Sequence, residues 1–213
     1  MENPELCQQL VDTTRATIKS GLNQGASGNL SVRVNDGFLI TPSGLPHEKM
    51  SAEDIVFMNL EGKHEGNLKP SSEWRFHRDI YLHRKDAGAV LHAHPTACTT
   101  LACLHQEIPA FHYMVALAGG NNIRCAPYAV FGSQALSDHA IKALENRKAC
   151  LLANHGMLCL DKNLEKVFAL ATEVENLAQI YMQVLQTGDP IILNDEEMNL
   201  VQEKFTDYQK QNQ

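Results

Sequence analysis

The chain has 213 residues, 44% of them hydrophobic, and a formal net charge of −7 at a pI near 5.8. That is enough for one compact domain, and residues 1–213 read as a single domain. The acidic balance argues against a general nucleic-acid binder, and no apolar stretch is long enough to span a membrane.

The N-terminus, Met1-Glu2-Asn3-Pro4-Glu5, has no hydrophobic segment behind it and does not read as a signal peptide, so the expected compartment is the cytoplasm. Apolar residues at Leu6, Leu10, Val11, Ile18 and Leu22 predict a helix over Leu6 to Leu22. After a glycine-bearing loop, the runs Leu30 to Val34 and Phe38 to Thr41 flank Asn35-Asp36-Gly37, a hairpin signature. Ile55 to Leu60 reads as a further strand and Ser72 to Arg84 as a helix. A strand follows over Ala87 to His92, then a short helix from Pro95 to Leu104. A helix over Ser137 to Leu144 precedes a strand over Ala149 to Ala153, and Met157 to Leu160 continues past the intervening loop. Asn163 caps a long amphipathic helix that Gly188 stops, and a last helix runs from about Asp195 to Tyr208. Interleaved helices and hairpin-linked strands predict a mixed or largely antiparallel sheet covered on both faces.

The most informative feature is Leu91-His92-Ala93-His94-Pro95. In a strand, side chains at i and i+2 share a face, so His92 and His94 would aim two imidazoles at one point. Two converging imidazoles make half of a transition-metal site, with zinc the first candidate. His155, in Ala153-Asn154-His155-Gly156, also follows an apolar strand and is a third candidate ligand. Glu73 supplies a carboxylate upstream. Three histidines and one acid match a catalytic centre with an open position. With ten histidines in the chain, an accidental His-x-His pair is the competing explanation. The six cysteines form no Cys-x-x-Cys pair and read as reduced thiols.

Three short segments share another character: Gly28-Asn29, Thr41-Pro42-Ser43-Gly44 and Pro70-Ser71-Ser72. Each offers backbone N–H groups near glycine, or hydroxyls at a helix start, as phosphate sites do. Ordinary turn and N-cap chemistry explains each one singly, and the set gains meaning only if the loops meet in space. Glu73 has a plain reading too, as an acid favoured in a first helical turn.

Several metal-site patterns fail. Thr96 and Ala97 stand where a metallo-β-lactamase-like His-x-His-x-Asp-His needs its acid and histidine. No glutamate follows the pair as in cupins. An amidohydrolase barrel typically needs about 250 residues. The chain instead resembles the class II aldolase/adducin-head family almost end to end. The resemblance is carried by Gly21-Leu22-Asn23-Gln24-Gly25, Gly28-Asn29, Thr41-Pro42-Ser43-Gly44, Pro70-Ser71-Ser72-Glu73-Trp74-Arg75-Phe76-His77, His92-Ala93-His94, Ile108 to Tyr113, Gly119-Gly120-Asn121, Cys125 to Ala129 and His155-Gly156.

That resemblance implies a three-layer α/β/α domain on a central, largely antiparallel sheet. It implies one zinc ion (Zn2+) per subunit on His92, His94 and His155, with Glu73 as the acid/base and as a further ligand when no substrate is present. It implies phosphate binding at Gly28, Asn29, Ser43, Gly44, Ser71 and Ser72. Tyr113 would reach a neighbouring subunit's zinc site and handle the aldehyde oxygen's proton, and Phe131 and Tyr208 would line the aldehyde side. The implied substrate is a phosphorylated ketose, cleaved to dihydroxyacetone phosphate and an aldehyde, and the implied assembly a cyclic homotetramer with sites at its interfaces. Ala26 and Ser43 stand where close relatives often have Thr. A sugar-phosphate 4-epimerase, a dehydratase and a non-catalytic interaction module of the same fold are the alternatives.

Overall fold

The computed structural model describes residues 3–65 and 68–211. Pro4 opens helix α1 (Pro4–Lys19), where a missing N–H costs nothing, and Cys7, Leu10, Val11, Thr14 and Thr17 bury one face. The helix ends three residues before the expected Leu22. Gly21, at φ 77°, turns the chain there, and Leu22 is buried from the loop. Strands β1 (Asn29–Val34) and β2 (Gly37–Ile40) form the expected hairpin, with Val34 opposite Gly37. β3 (Val56–Asn59) and the two-residue β4 (His64–Glu65) extend it. Then come α2 (Trp74–His83), β5 (Ala89–Ala93) and α3 (Thr96–Cys103).

Besides β4, two strands lie where the sequence reading has none: β6 (Ile108–Pro109) and β7 (Asn122–Ala126). α4 (Gln134–Ala143) begins a turn before the expected Ser137, because the Ser133 hydroxyl accepts the Leu136 N–H and caps it. β8 (Ala149–Leu152), β9 (Gly156–Asp161), α5 (Leu164–Thr187) and α6 (Asp195–Gln211) complete the chain. The Asn163 side chain accepts from the Lys166 N–H, as a cap should.

Among the described residues the strands form one nine-stranded sheet in the order β4-β3-β2-β1-β5-β9-β8-β7-β6. Every adjacent pair is antiparallel except β7 with β8. The two-residue side-chain period sorts β5 cleanly. Ala89, Leu91 and Ala93 join the core built with α1, α3 and α5, whereas Val90 joins the core built with α2 and α4. The result is an α/β domain with helices on both faces of a mixed, mostly antiparallel sheet. Among the described residues, no helix is long and apolar enough to cross a membrane.

Helix α3 starts directly after His94-Pro95, so its placement fixes that histidine. The buried Glu175 of α5 accepts the Ala97 and Cys98 N–H groups, each at 2.9 Å, and answers two of the orphan donors at the α3 N-terminus. Glu175→Ala strands both donors and should cost at least about 2 kcal/mol in urea unfolding, with Glu175→Gln costing less.

Candidate active site

Strand β5 lies between β1 and β9, and His92 sits opposite Asn29 on one side and Leu158 on the other. His92 is fully buried. Its Nδ1–H donates to the Met157 carbonyl at 2.8 Å, which turns Nε2 toward the site. His94 follows the strand end on the same face, and its Nε2 lies 2.8 Å from His92 Nε2. Its backbone N–H donates to Asn23 Oδ1.

His155 comes from the three-residue turn between β8 and β9, which Leu152 and Gly156 close. Asn154 adopts φ 53° there, a left-handed conformation that asparagine tolerates. The turn is pinned by the Ala153 N–H on Ala126 O and the Asn154 N–H on Ala102 O. The ligand atoms of His92, His94 and His155 lie within 4.8 Å of one another, a group able to hold a metal ion.

Glu73 stands at the N-cap of α2 but caps nothing. The plain first-turn reading is not what the side chain does: it is buried and turned inward, toward His92 and His155. Oε2 accepts from Asn29 Nδ2 at 3.0 Å and lies 3.1 Å from His92 Nε2. Oε1 lies 3.3 Å from His155 Nε2 yet has no hydrogen-bond partner. Burial pushes the Glu73 carboxyl up, but the His92 and His155 imidazoles and the Asn29 amide outweigh it and hold it below the usual carboxylate range. Burial and the neighbouring imidazoles hold His94 down at about 3, and burial and His92 hold His155 at about 4. Burial also pushes His92 down, but Glu73 more than restores it.

These residues fit a divalent cation. Two imidazole nitrogens 2.8 Å apart cannot both carry protons toward one another, and a buried carboxylate oxygen is left without a donor. A cation satisfies both, and neutral imidazoles with a carboxylate are the donors zinc accepts.

All three glycine- and hydroxyl-bearing loops meet here. With Glu73, His94 and His155 they line one cavity of ≈ 340 Å³, which Tyr128, Ala129 and Phe131 flank. Gly28 and Gly44, at φ 75° and 72°, supply the backbone turns. The loops are knit together: the Ser71 N–H donates to Thr41 O, the Ser43 N–H to Lys69 O, and the Glu73 N–H to Ser71 Oγ.

Phe131 is two-thirds exposed at the rim. Tyr113 and Tyr208 do not line this chain's own cavity. Tyr113 opens a 3₁₀ turn, is half exposed, and stacks on Phe205 of α6 with ring centroids 6.3 Å apart. Tyr208 is exposed on α6.

Sequence reasoning assigned no role to Asn23, which braces His94, nor to Ser31, His77 and Tyr81, which lie buried behind Asn29. A signal for two of them was present. Glu73, His77 and Tyr81 recur at four-residue spacing along one face of α2.

A family model described as the class II aldolase and adducin N-terminal domain matches residues 8–182. The chain is 52% identical to the L-fuculose phosphate aldolase of Escherichia coli strain K12, over 98% of this chain and 97% of that one. It is 54% identical to the 5-methylthioribulose-1-phosphate/5-deoxyribulose-1-phosphate aldolase of Rhodospirillum rubrum, over 93% and 90%. A solved L-fuculose 1-phosphate aldolase superposes with a TM-score of 0.92 at 42% identity, covering 95% of this chain and 96% of that one.

Gly156 sits where β9 leaves this turn. A Cβ there would meet Ala93 O at 2.4 Å and His94 Cδ2 at 2.7 Å. Gly156→Ala should therefore cost about 1–3 kcal/mol in urea unfolding and weaken binding of Co2+ followed by its visible absorption. The chain belongs to the class II aldolase and adducin N-terminal domain family, among its enzymes of the aldolase type.

Proposed function

We propose that this protein is a zinc-dependent aldolase that reversibly cleaves L-fuculose 1-phosphate to dihydroxyacetone phosphate and L-lactaldehyde. The observation that carries the reading is a buried carboxylate with one unpartnered oxygen, set among three converging imidazoles beside the loop-lined cavity. The names of the relatives at 52% and 42% identity support the substrate.

On this reading His92, His94 and His155 hold zinc, joined by Glu73 when no substrate is present. When bound, the ion supplies Lewis-acid chemistry, drawing electrons from a chelating ketose carbonyl and acidifying the neighbouring C–H. Gly28, Asn29, Ser43, Gly44, Ser71 and Ser72 hold the phosphate through N–H and hydroxyl donors, which fixes the reacting carbon near Glu73. In the condensation direction Glu73 takes the proton from the hydroxymethyl carbon of dihydroxyacetone phosphate. That carbon then bonds to the aldehyde carbon, and Tyr113 of the partner subunit gives a proton to the aldehyde oxygen. Cleavage reverses each step. Among the described residues no lysine lines the cavity, so a Schiff-base route has no candidate amine among them.

Phe131 and Tyr208 border the aldehyde side. Because Tyr113 is half exposed and outside its own chain's cavity, the reading requires a second subunit, and we take a cyclic homotetramer in the cytoplasm as the working form.

The relative named for 5-methylthioribulose and 5-deoxyribulose 1-phosphates favours a second reading with the same chemistry and another aldehyde half. Incubation with L-fuculose 1-phosphate and with 5-deoxyribulose 1-phosphate, each with and without EDTA, decides between them by relative kcat/KM. Release of dihydroxyacetone phosphate that EDTA abolishes is the expected result. An epimerised phosphate without free aldehyde identifies an epimerase, and loss of water a dehydratase. Protein without bound metal after metal-replete expression identifies a binding module. General acid–base catalysis contributes about 10²–10⁴-fold, so Glu73→Gln should lose at least about 100-fold in turnover while staying folded. Tyr113→Phe should lower kcat with little change in bound metal.

A further inference from the structure

Behind Glu73 runs a chain of buried hydrogen bonds that, with His77 neutral, has one polarity. Asn29 Nδ2 donates to Glu73 Oε2 at 3.0 Å, because the amide oxygen turned that way would face a carboxylate with no proton between them. Asn29 Oδ1 therefore faces His77 Nε2 at 2.5 Å, and that nitrogen must carry the proton. His77 Nδ1 is then an acceptor, and the Ser31 hydroxyl donates to it at 2.6 Å. The Tyr81 hydroxyl in turn donates to Ser31 Oγ at 2.8 Å. Ser31 and His77 are fully buried, and Asn29, Tyr81 and Glu73 nearly so, so each group depends on its neighbour in the chain.

One consequence falls on the carboxylate. Oε2 is committed to the Asn29 donor and cannot also present a proton in that direction. Oε1 has no hydrogen-bond partner. We infer that His77 is a positioning residue: by fixing the Asn29 amide, it anchors Oε2 of Glu73 and reserves Oε1 for the proton exchanged with substrate. This rests on Glu73 being the acid/base of the proposed aldolase.

Two variants separate positioning from mere filling of the buried site. His77→Gln places an amide donor near the former Nε2 and keeps the contact with Asn29. His77→Asn reaches Ser31 but not Asn29. With the metal-replete enzyme, His77→Asn should lower kcat about 10–100-fold, keep KM within about threefold and retain its metal, whereas His77→Gln should recover most of the rate. Deuterium exchange into dihydroxyacetone phosphate without aldehyde should follow the same order. Independently of turnover, nitrogen-15 spectra of uniformly carbon-13- and nitrogen-15-labelled wild-type protein should show His77 protonated at Nε2, assigned by through-bond correlation to its own backbone.

Equal kcat in the two variants, or a His77 protonated at Nδ1, overturns the inference. The spectrum decides even if neither variant folds. A wild-type enzyme that neither cleaves L-fuculose 1-phosphate nor exchanges the proton overturns the aldolase reading beneath it, a different failure from a working enzyme indifferent to His77.

Discussion

The antiparallel pairing of β5 with β1 and β9 is the constraint from which the site follows. It sets Asn29 beside His92 on one side and carries β9 back from the turn that holds His155 on the other. Because side chains alternate across a sheet, a one-residue slip of β5 would turn His92 into the apolar layer of α1, α3 and α5. The register is held against such a slip by the fully buried Val90 and Leu91, which face opposite layers. Burying an aliphatic side chain of that size is worth about 1.5–3 kcal/mol, so a slip would forfeit several such contributions at once. The same hydrophobic alternation that builds the domain thus aims the imidazoles.

A cluster of polar groups in such a position is expensive, and its composition reflects that. A carboxylate alone in this environment would be pushed toward its neutral form. Asn29 and the flanking imidazoles reverse that tendency and keep Glu73 charged. Farther in, Ser31, His77 and Tyr81 satisfy one another rather than water. The unsatisfied remainder faces the cavity: Glu73 Oε1 and the opposed nitrogens of His92 and His94. Groups left wanting together, and there convergent, mark where something must bind.

Much of this was legible in the sequence. His92 and His94 could be paired from strand periodicity alone, and the β1–β2 hairpin from Asn35-Asp36-Gly37. Helix α5 was marked by its cap, its stripe and its terminal glycine. Other features were illegible for physical reasons. β7 reads Asn122-Ile123-Arg124-Cys125-Ala126, which alternates weakly because it lies near a sheet edge and pairs with β8 in parallel. The meeting of the three loops depends on bonds between residues far apart in sequence, Ser71 with Thr41 and Asn29 with Glu73, which no local pattern encodes. Glu73 was found by motif, but its sequence position left the plain alternative of an acid at a helix start open, and only the surrounding sheet shows that it points away from the helix. His77 was hidden by its neighbours: one histidine on an apolar helical face reads as core until its two nitrogens acquire partners.

The walls of the cavity are built differently, and this bears on how close relatives come to carry different substrate names. The histidine group able to hold a metal ion and the Glu73 carboxylate lie on or beside paired strands, bound by register and by main-chain hydrogen bonds. Tyr128, Ala129 and Phe131 also line the cavity, in a segment without regular structure between β7 and α4, where two aromatic rings stand largely exposed. A change at the histidines disturbs the strands that carry them. In the proposed reaction, a change in the irregular segment alters the shape offered to the aldehyde half and leaves the strands untouched. On the proposed chemistry, the phosphate and carbonyl end is common to L-fuculose and 5-deoxyribulose phosphates, and the aldehyde end is where they differ. Relatives at 52% and 54% identity carry those two names, and on the proposed chemistry side chains on which the strands do not depend are the place where such selectivity can be set.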